Sequence, residues 1–483
     1  MKRWLFLAHR WLGLFGCLLV MLWFASGFVM MYVPFPDLST EERLTALPMI
    51  EASKVRLAPA AALDAAAGEA VLQLRLLQPD TAPVYAVRTT QRGWFGIDAQ
   101  RGTVVQVDAA AAAHAAERFA GQPAVVVESI ERDQWTVPGN LDPHRPLFAV
   151  QMEGGGLHYV SSRTGEVVRD TARAERGWNW VGAVVHWVYP TALRSRPTAW
   201  HWTVIALSGY ALFTALLGSV IGVLRWRRYA SGKRSPYAGW MRWHHLLGLG
   251  AAVFVIGWLL SGLLSMNPGA VFSAQRLGEA QRAAWAGEPI RPSLPVAWGG
   301  AKEIEWFADT AGTLTALRTS ASSSRLLQAG QPLRIDAAFV QARAASLGLG
   351  APLGVERLDA MDLHYNARNA ARPLPVWRVR FADAAQTWVH IDGQTGQPFV
   401  RIDASNRAGR WLYHGLHSWD FEPLLQHRPL WDVLMLAALA LGSAFSATSV
   451  VIAWRRVTRR RTSRAAAAMP NLNPHPEPAR ELN

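Results

Sequence analysis

Four long stretches of this 483-residue chain contain no Lys, Arg, Asp or Glu. They cover residues 11–36, 202–224, 246–275 and 433–454. Each stretch is long enough to cross a hydrocarbon core of about 30 Å as a helix. The sequence therefore predicts an α-helical membrane protein with four transmembrane helices.

Basic residues collect on one side of these segments. Three precede the first segment, six fill the loop between the second and third, and six follow the fourth: Lys2, Arg3, Arg10, Arg225, Arg227, Arg228, Lys233, Arg234, Arg242, Arg455, Arg456, Arg459, Arg460, Arg461 and Arg464. Because cytoplasmic loops are enriched in Lys and Arg, both termini and the 227–242 loop are predicted to be cytoplasmic. The formal net charge of +14 is thus a topology signal and does not indicate a nucleic-acid partner.

The first apolar segment begins with basic residues, as a signal peptide does, and residues 14–17 loosely resemble a lipoprotein cleavage site. The apolar run continues to Val33, which is longer than a usual signal sequence. We interpret the segment as an uncleaved anchor. Cys17 is the only cysteine, so an internal disulfide and a cysteine-ligated cluster are excluded.

Two polar regions, 37–175 and 269–408, are punctuated by Pro and Gly and contain short alternating apolar runs typical of strands. They predict two extracytoplasmic α+β modules. The clearest pattern is strand, Thr-Gly turn, strand, at 157–168 and again at 388–400. The predicted organisation is helix 1 (1–36), module 1 (37–175), an interfacial segment with helix 2 (176–226), the loop (227–242), helix 3 (243–268), module 2 (269–408), an interfacial segment with helix 4 (409–456) and a disordered basic tail (457–483).

A histidine phrase opens two of the apolar segments, at residues 9–13 and 244–248. A shift of 235 positions that superposes the two phrases also matches Trp23 with Trp258 and Ser26 with Ser261. Further pairs differ by 231 positions: Thr164 and Thr395, Trp180 and Trp411, His186 and His417. A nearly constant offset over so many positions predicts two tandem repeats.

The chain resembles the PepSY-associated transmembrane family over about residues 4–456. The resemblance rests on the two histidine phrases, on the strand-turn-strand units, and on the segments Val185-His-Trp-Val-Tyr-Pro190 and Gly415-Leu-His-Ser-Trp-Asp-Phe421. It implies a multi-pass protein of the bacterial inner membrane with periplasmic PepSY-like modules. The family includes ferric-siderophore reductases with b-type haems held by paired histidines. For this chain the resemblance therefore also implies such haems and a ferric siderophore as the substrate.

A haem between helices needs two imidazoles on its opposite faces and small residues where the ring passes a helix. His9 and His244 are each followed one turn later by a glycine. If a two-fold axis relates the repeats, His9 faces His244 near the cytoplasmic surface, and His186 faces His417 near the outer surface. We predict two haems b, with these two pairs as ligands of the haem irons.

Three further histidines are second-rank candidates for the haem sites. His201 lacks a histidine at the equivalent repeat position, His414 lies one turn before a member of the outer pair, and His245 points about 100° away from its neighbour on a helix. A histidine near a membrane surface also has a simpler role, as a hydrogen-bond partner of a carbonyl or a lipid headgroup.

Trp23 and Trp258 lie at matching depth in the two repeats and are predicted to form walls of the haem space.

The sequence contains no Gly-rich dinucleotide motif after a strand and no P-loop, and the 227–242 loop is too short for a flavin or nicotinamide domain. The electron donor is therefore expected to be membrane quinol or a separate cytoplasmic reductase. Reduction of a ferric siderophore would release iron, because hydroxamate or catecholate oxygens bind Fe(II) less well than Fe(III).

Two other classes of function stay open at this point. One is a non-enzymatic PepSY membrane protein that binds or regulates a partner, with structural histidines. The other is a component of a siderophore or iron transporter. The apolar segments contain no carboxylates, which argues against ion-coupled transport.

Overall fold

The computed structural model describes residues 2–366 and 372–467. The chain divides into two compact units. Of the described residues, the helical unit comprises 2–28, 206–260 and 428–467. The strand-rich unit comprises Val29–Ile205 and Ser261–His427.

Four helices among the described residues are long and apolar enough to cross a membrane, which confirms the predicted number. Spans 1 to 4 cover Lys2–Met30, Pro197–Arg225, Gly239–Ser265 and Arg428–Ala467. Spans 1 and 3 end before the predicted residues 36 and 268. Prolines follow both helix ends, at Pro34 and Pro268, and proline does not supply the amide that would continue a helix.

Span 4 extends through residues that the sequence assigns to a disordered tail. Residues 457–467 contain no Gly or Pro and continue the helix. The rest of that predicted tail, 468–483, lies outside the described residues.

The helical unit packs through small residues at close helix contacts. A Cβ at Gly442 of span 4 would overlap the Phe24 ring of span 1, and a Cβ at Gly16 would lie 2.7 Å from the Tyr210 ring of span 2. The Tyr210 hydroxyl donates a hydrogen bond to the Leu12 carbonyl. Since lipid removes the hydrophobic drive for helix association, such close packing and interhelical hydrogen bonds hold the bundle together.

Strands β1 to β15 of the described chain all lie in the strand-rich unit and form three antiparallel sheets. They are β1 Val71–Leu77, β2 Val84–Thr89, β3 Gly93–Asp98, β4 Ala124–Ile130, β5 Leu147–Met152, β6 Leu157–Ser161, β7 Val167–Thr171, β8 Glu303–Asp309, β9 Gly312–Arg318, β10 Ser324–Gln328, β11 Gln331–Pro332, β12 Pro352–Leu358, β13 Val376–Phe381, β14 Trp388–Asp392 and β15 Pro398–Ile402. The shorter α-helices are Thr40–Ala46, Pro59–Asp64, Ala109–Ala120, Arg173–Val181, Ala183–His186, Thr191–Arg194, Glu279–Ala286, Ala337–Ala344, Ala404–Arg410, Leu416–Ser418 and Glu422–Gln426.

Two four-stranded sheets have the same simple order, β4-β5-β6-β7 and β12-β13-β14-β15. A helix capped by an Asp side chain packs on each sheet: Ala109–Ala120 follows Asp108, and Ala337–Ala344 follows Asp336. The predicted Thr-Gly hairpins are confirmed at β6–β7 and β14–β15, where each turn glycine has a positive φ, 75° and 70° respectively.

The third sheet has seven strands in the order β11-β10-β9-β8-β1-β2-β3. Strands β1 and β8 pair antiparallel, with Leu74 opposite Trp306. One sheet therefore contains strands from both predicted modules, which the sequence describes as separate. The pairing covers two edges that would otherwise be exposed, and it buries a common core that includes Leu76, Tyr85 and Ile304.

A buried ion-pair network accompanies this strand pairing. Arg75 of β1 bonds Glu303 of β8 at 3.1 Å and Glu166, in the turn between β6 and β7, at 3.0 Å. Arg43 bonds Glu303 at 2.6 Å. Burial raises the pKa of Glu303, but Arg43 and Arg75 outweigh it and hold that pKa at about 2. Each buried charge therefore has an opposite charge beside it, as burial requires.

His390 of β14 is fully buried in the second four-stranded sheet. Its ring stacks on Tyr365 with centres 5.0 Å apart, and its Nε2 accepts a hydrogen bond from Nε of Arg378 at 3.1 Å. Burial, together with the charge of Arg378, lowers the pKa of His390 to about 3. Protonation would remove the acceptor and place two cations side by side.

We expect the strand-rich unit to lose stability as the pH falls below about 6.5, the ordinary histidine pKa, because the unfolded chain then binds a proton that folded His390 does not. The variant His390→Gln keeps an acceptor for Arg378 but does not titrate. Between pH about 7 and about 5, the thermal unfolding midpoint of this variant should fall less than that of the wild type. The difference between the two midpoints at pH about 8 measures the direct effect of the substitution on stability. An equal fall of the midpoint in both proteins would show that His390 does not cause the loss of stability.

Candidate functional site

Two histidines of the helical unit face each other beside a cavity. His9 lies on span 1 and His244 on span 3, with ring centres 6.3 Å apart and ring planes inclined by 32°. Both line a cavity of about 410 Å³ whose other walls are mainly apolar side chains of the four spans. This volume lies in the usual range of ligand pockets, about 300–1,000 Å³.

Hydrogen bonds fix the orientation of both rings. Nδ1 of His9 donates to the Thr214 carbonyl at 3.1 Å. Since a carbonyl oxygen only accepts, this nitrogen carries the proton and Nε2 keeps its lone pair. Nδ1 of His244 lies 3.2 Å from the hydroxyls of both Thr448 and Ser449. Metal-bound imidazoles are held in the same way, through a hydrogen bond at the nitrogen that does not bind the metal.

Glycine on span 2 allows the close approach of the His9 ring. A Cβ at Gly218 would lie 2.5 Å from Cε1 of His9. The glycines expected one turn after each histidine, Gly13 and Gly248, both line the cavity. A Cβ at Gly13 would meet nothing within 4 Å, whereas one at Gly248 would lie 2.9 Å from the Phe445 ring.

The cavity also has polar lining groups that suit an amphipathic ligand. Its charged lining residues are Arg10 and Arg456. Ser446, also in the lining, is buried, and its hydroxyl has no hydrogen-bond partner among the described residues. An unpartnered buried hydroxyl is unfavourable, so a bound polar atom would stabilise it. An apolar ring with anionic substituents, as haem has, fits this set of residues.

The tryptophans predicted to wall the haem space do not line this cavity. Trp258 packs on Phe24 and Phe254, with ring centres 5.6 and 5.4 Å away. Trp258 therefore contributes to helix packing, and Trp23 does not line the cavity either. Matching depth in two repeats does not fix which way a large side chain points.

A second histidine pair lies in the strand-rich unit. The rings of His186 and His417 have centres 6.0 Å apart and planes inclined by 78°. Nδ1 of His417 lies 3.0 Å from the Ser261 hydroxyl on span 3. Tyr413 stacks on His417 with ring centres 5.3 Å apart. The structure therefore brings together both pairs that the repeat offset predicts.

The backbone after each of these histidines is unusual. Val188 and Trp419, each two residues after a pair member, have φ of 52° and 51°. A positive φ is rare for a β-branched residue and is retained only where the surroundings impose it, often at functional sites. A π-helical turn, Trp411–Gly415, precedes His417, and such turns are also frequent at functional sites. No sequence signal reveals these conformations, although the two positions differ by the repeat offset of 231.

His245 has no nitrogen available for a metal in this conformation. Its Nε2 lies 2.9 Å from the Gly222 carbonyl and its Nδ1 lies 2.8 Å from the Ser235 hydroxyl. Because the carbonyl accepts, Nε2 donates to it and Nδ1 accepts from the hydroxyl. His245 thus joins span 3 to span 2 and to the following loop.

The other second-rank histidines lie in the strand-rich unit. His201, near the start of span 2, packs edge-on against Trp202 with ring centres 5.5 Å apart. His414 lies in the π-helical turn, with Nδ1 3.9 Å from the Asp420 carboxylate. The two pairs, in contrast, each bring two histidine rings into contact.

No group of three or more His, Cys, Asp or Glu side chains within residues 2–366 and 372–467 is arranged to hold a metal ion. The histidine pairs offer two nitrogen ligands each. Such a pair suits a metal that arrives with its other ligands, as haem iron does with its porphyrin nitrogens.

Membrane-length helices, antiparallel sheets and two histidine pairs define a multi-pass membrane protein with candidate cofactor sites. The chain belongs to the family of the PepSY-associated TM region, whose family model matches residues 6–456. This confirms the family that the sequence motifs indicated. A search of curated proteins finds no match.

We expect Gly218→Ala to destabilise the protein. The added methyl group would overlap the His9 ring, and overpacking of this kind costs about 1–3 kcal/mol, more than the about 0.5–1 kcal/mol that alanine gains over glycine within a helix. The thermal unfolding midpoint in detergent should therefore fall. Gly209→Ala on the same span, where a Cβ meets nothing within 4 Å, is the matched control and should hold or raise the midpoint. Equal unfolding midpoints for the two variants would show that the His9 ring is not held close to Gly218.

Proposed function

We propose that this protein is a membrane oxidoreductase with two haems b, which carries electrons across the bacterial inner membrane to a ferric siderophore and releases Fe(II). The observation that carries the proposal is the separation of the ring centres, 6.3 and 6.0 Å. A metal–imidazole bond is about 2 Å long and the bonding nitrogen lies about 1 Å from the ring centre. Two imidazoles on opposite sides of one metal therefore have centres about 6 Å apart.

In this proposal His9 and His244 would hold the inner haem, since Nδ1 of each ring is hydrogen-bonded within the protein and Nε2 is left for the iron. Thr214, Thr448 and Ser449 keep the rings in the required tautomer and orientation through Nδ1. Arg10 and Arg456 would offer positive charge to the haem carboxylates, and the apolar walls would exclude water. A bound haem supplies reversible one-electron chemistry at its iron.

His186 and His417 hold the outer haem in this proposal, and Ser261 orients His417. The acceptor gains one electron as Fe(III) becomes Fe(II), with no covalent bond formed between acceptor and protein. The hard oxygen ligands of a siderophore then bind the iron less tightly and release it. The electron donor is quinol or a separate cytoplasmic reductase, since the sequence contains no nucleotide-binding motif.

The proposal includes a tandem duplication, with both termini and the 227–242 loop in the cytoplasm and the strand-rich unit in the periplasm. The strand order of the seven-stranded sheet supports the duplication. Outward from its centre, β1 is followed by β2 and β3 on one side, and β8 is followed by β9 and β10 on the other, with β11 as an additional edge strand. Strands β1 and β8 begin 232 positions apart, close to the offset of the histidine pairs. The basic residues on one side of the spans support the orientation.

The optical spectrum of the purified protein tests the inner site first. The wild type should show haem bands that sharpen on reduction, and His9→Ala or His244→Ala should each remove about half of the bound haem, because one haem needs both imidazoles. His427→Ala, at an exposed histidine, is the control and should keep the full content. Full haem in both single variants would exclude this pair. A wild type without haem bands would favour the non-enzymatic alternative.

The outer site is tested by electron delivery. His417→Ala should keep the inner haem, still reducible from the donor side, yet stop reduction of an external ferric hydroxamate chelate. Ser261→Ala removes only the partner of Nδ1 and should give an intermediate loss, because such partners contribute about 10- to 100-fold in metal affinity or activity. Chelate reduction at the wild-type rate in His417→Ala would overturn the assignment and return attention to His201 and His414.

A further inference from the structure

The end of the helix Arg173–Val181 presents large apolar side chains to the outside of the protein. Trp178, Trp180 and Val181 are each more than half exposed, and we term them the first patch. Asn179, between them, is buried and donates its amide to the Pro34 carbonyl at 2.9 Å. The helix is therefore fixed with this apolar end outward.

The second repeat carries a similar surface at the equivalent place. Trp411, Leu412 and Phe421, the second patch, are each about two-fifths exposed. The rings of Trp411 and Phe421 stack with centres 6.1 Å apart. Trp411 and Leu412 follow Trp180 and Val181 by 231 positions, the same offset as the outer histidines. Two independent segments thus expose apolar surface at matched positions.

Both patches lead directly to the outer histidine pair. His186 follows Val181 by five positions, and His417 follows Leu412 by five. Because the two histidine rings are 6.0 Å apart, each patch lies five residues along the chain from the same histidine pair. The chain then continues to span 2 at Pro197 and to span 4 at Arg428.

The chemistry of these patches suits a lipid interface. Exposed apolar clusters on soluble surfaces are uncommon, whereas Trp is enriched at the level of the lipid headgroups. The Arg410 guanidinium lies 4.6 Å from the Trp411 ring centre, and a cation beside an aromatic ring matches the mixed phosphate and acyl surroundings of that level. The membrane spans that follow each patch keep it within reach of a bilayer.

We propose that the two patches are seated in the lipid interface at the ends of the spans and that they fix the outer histidine pair at headgroup depth. The seating itself depends only on the membrane spans. Its consequence for the acceptor rests on the proposed function: a bulky, water-soluble ferric chelate reaches this pair without entering the hydrocarbon.

Nitroxide depth measurements on the full chain test this seating. Single cysteines replace Trp180, Val181, Trp411 or Leu412 in a Cys17→Ser background, and the labelled proteins are reconstituted in vesicles of phosphatidylcholine and phosphatidylglycerol. Relaxation by oxygen reports lipid exposure, and relaxation by a nickel chelate reports water exposure. Leu216→Cys on span 2 is the lipid-exposed control, and Ala110→Cys on the helix Ala109–Ala120 is the aqueous control.

The oxygen-to-nickel ratio at all four positions should fall between the two controls. Nickel access equal to that at position 110 would overturn the proposal, since the patches would then lie in water. Protection from both reagents together with spin–spin broadening would also overturn it, because a second copy of the protein would cover the patches. Should a Trp variant not fold, the Val181 and Leu412 positions give the same test.

This test separates the two proposals. A wild type without haem would end the proposed function and leave the depth measurement valid. Aqueous patches combined with intact haem chemistry would end the seating alone. Arg234→Cys, labelled in intact cells with an impermeant reagent, checks the orientation and should not react.

Discussion

An imidazole among apolar helices must find partners for its ring nitrogens, because an unpaired buried polar group costs about 1–3 kcal/mol. This constraint organises the candidate site. His9 satisfies one nitrogen with a backbone carbonyl, and His244 and His417 do so with hydroxyls. Gly218 gives the His9 ring its space. His245 shows the contrasting solution, in which both nitrogens bond within the protein and no ligand capacity is left.

Much of this architecture could be predicted from the sequence. Charge-free segments gave the number of spans, and Thr-Gly turns gave the hairpins. The repeat offset predicted which histidines lie together, and the rings of His9 and His244 and of His186 and His417 are in contact. The pairing of β1 with β8 was not predictable. The alternation of apolar and polar residues shows which face of a strand is buried, but it does not specify which strand lies beside it. The strained backbone at Val188 and Trp419 is imposed by packing and leaves no composition signal.

The seven-stranded sheet has a role beyond its own core. Each histidine pair takes one member from each half of the chain, and this sheet also joins strands from both halves. In the strand-rich unit that joint is the β1–β8 ladder with its ion pairs, Arg75 to Glu303 and Glu166. Loss of one partner from such a network leaves an uncompensated buried charge, which typically costs about 3–5 kcal/mol. The network therefore stabilises the pairing of β1 with β8 in the strand-rich unit.

The order of the seven-stranded sheet has a consequence for chains that carry only one repeat. Such a chain would leave the edge of β1 unpaired and could complete the sheet by pairing β1 with the same strand of a second copy, as isologous dimers do. A homodimer must place identical residues on both sides of its axis. A single chain with two proposed repeats is free of that restriction, and here the partners of the inner histidines differ: a carbonyl bonds His9, whereas hydroxyls bond His244. If the proposed duplication and haems hold, a single chain would let the two sides of each haem be tuned separately.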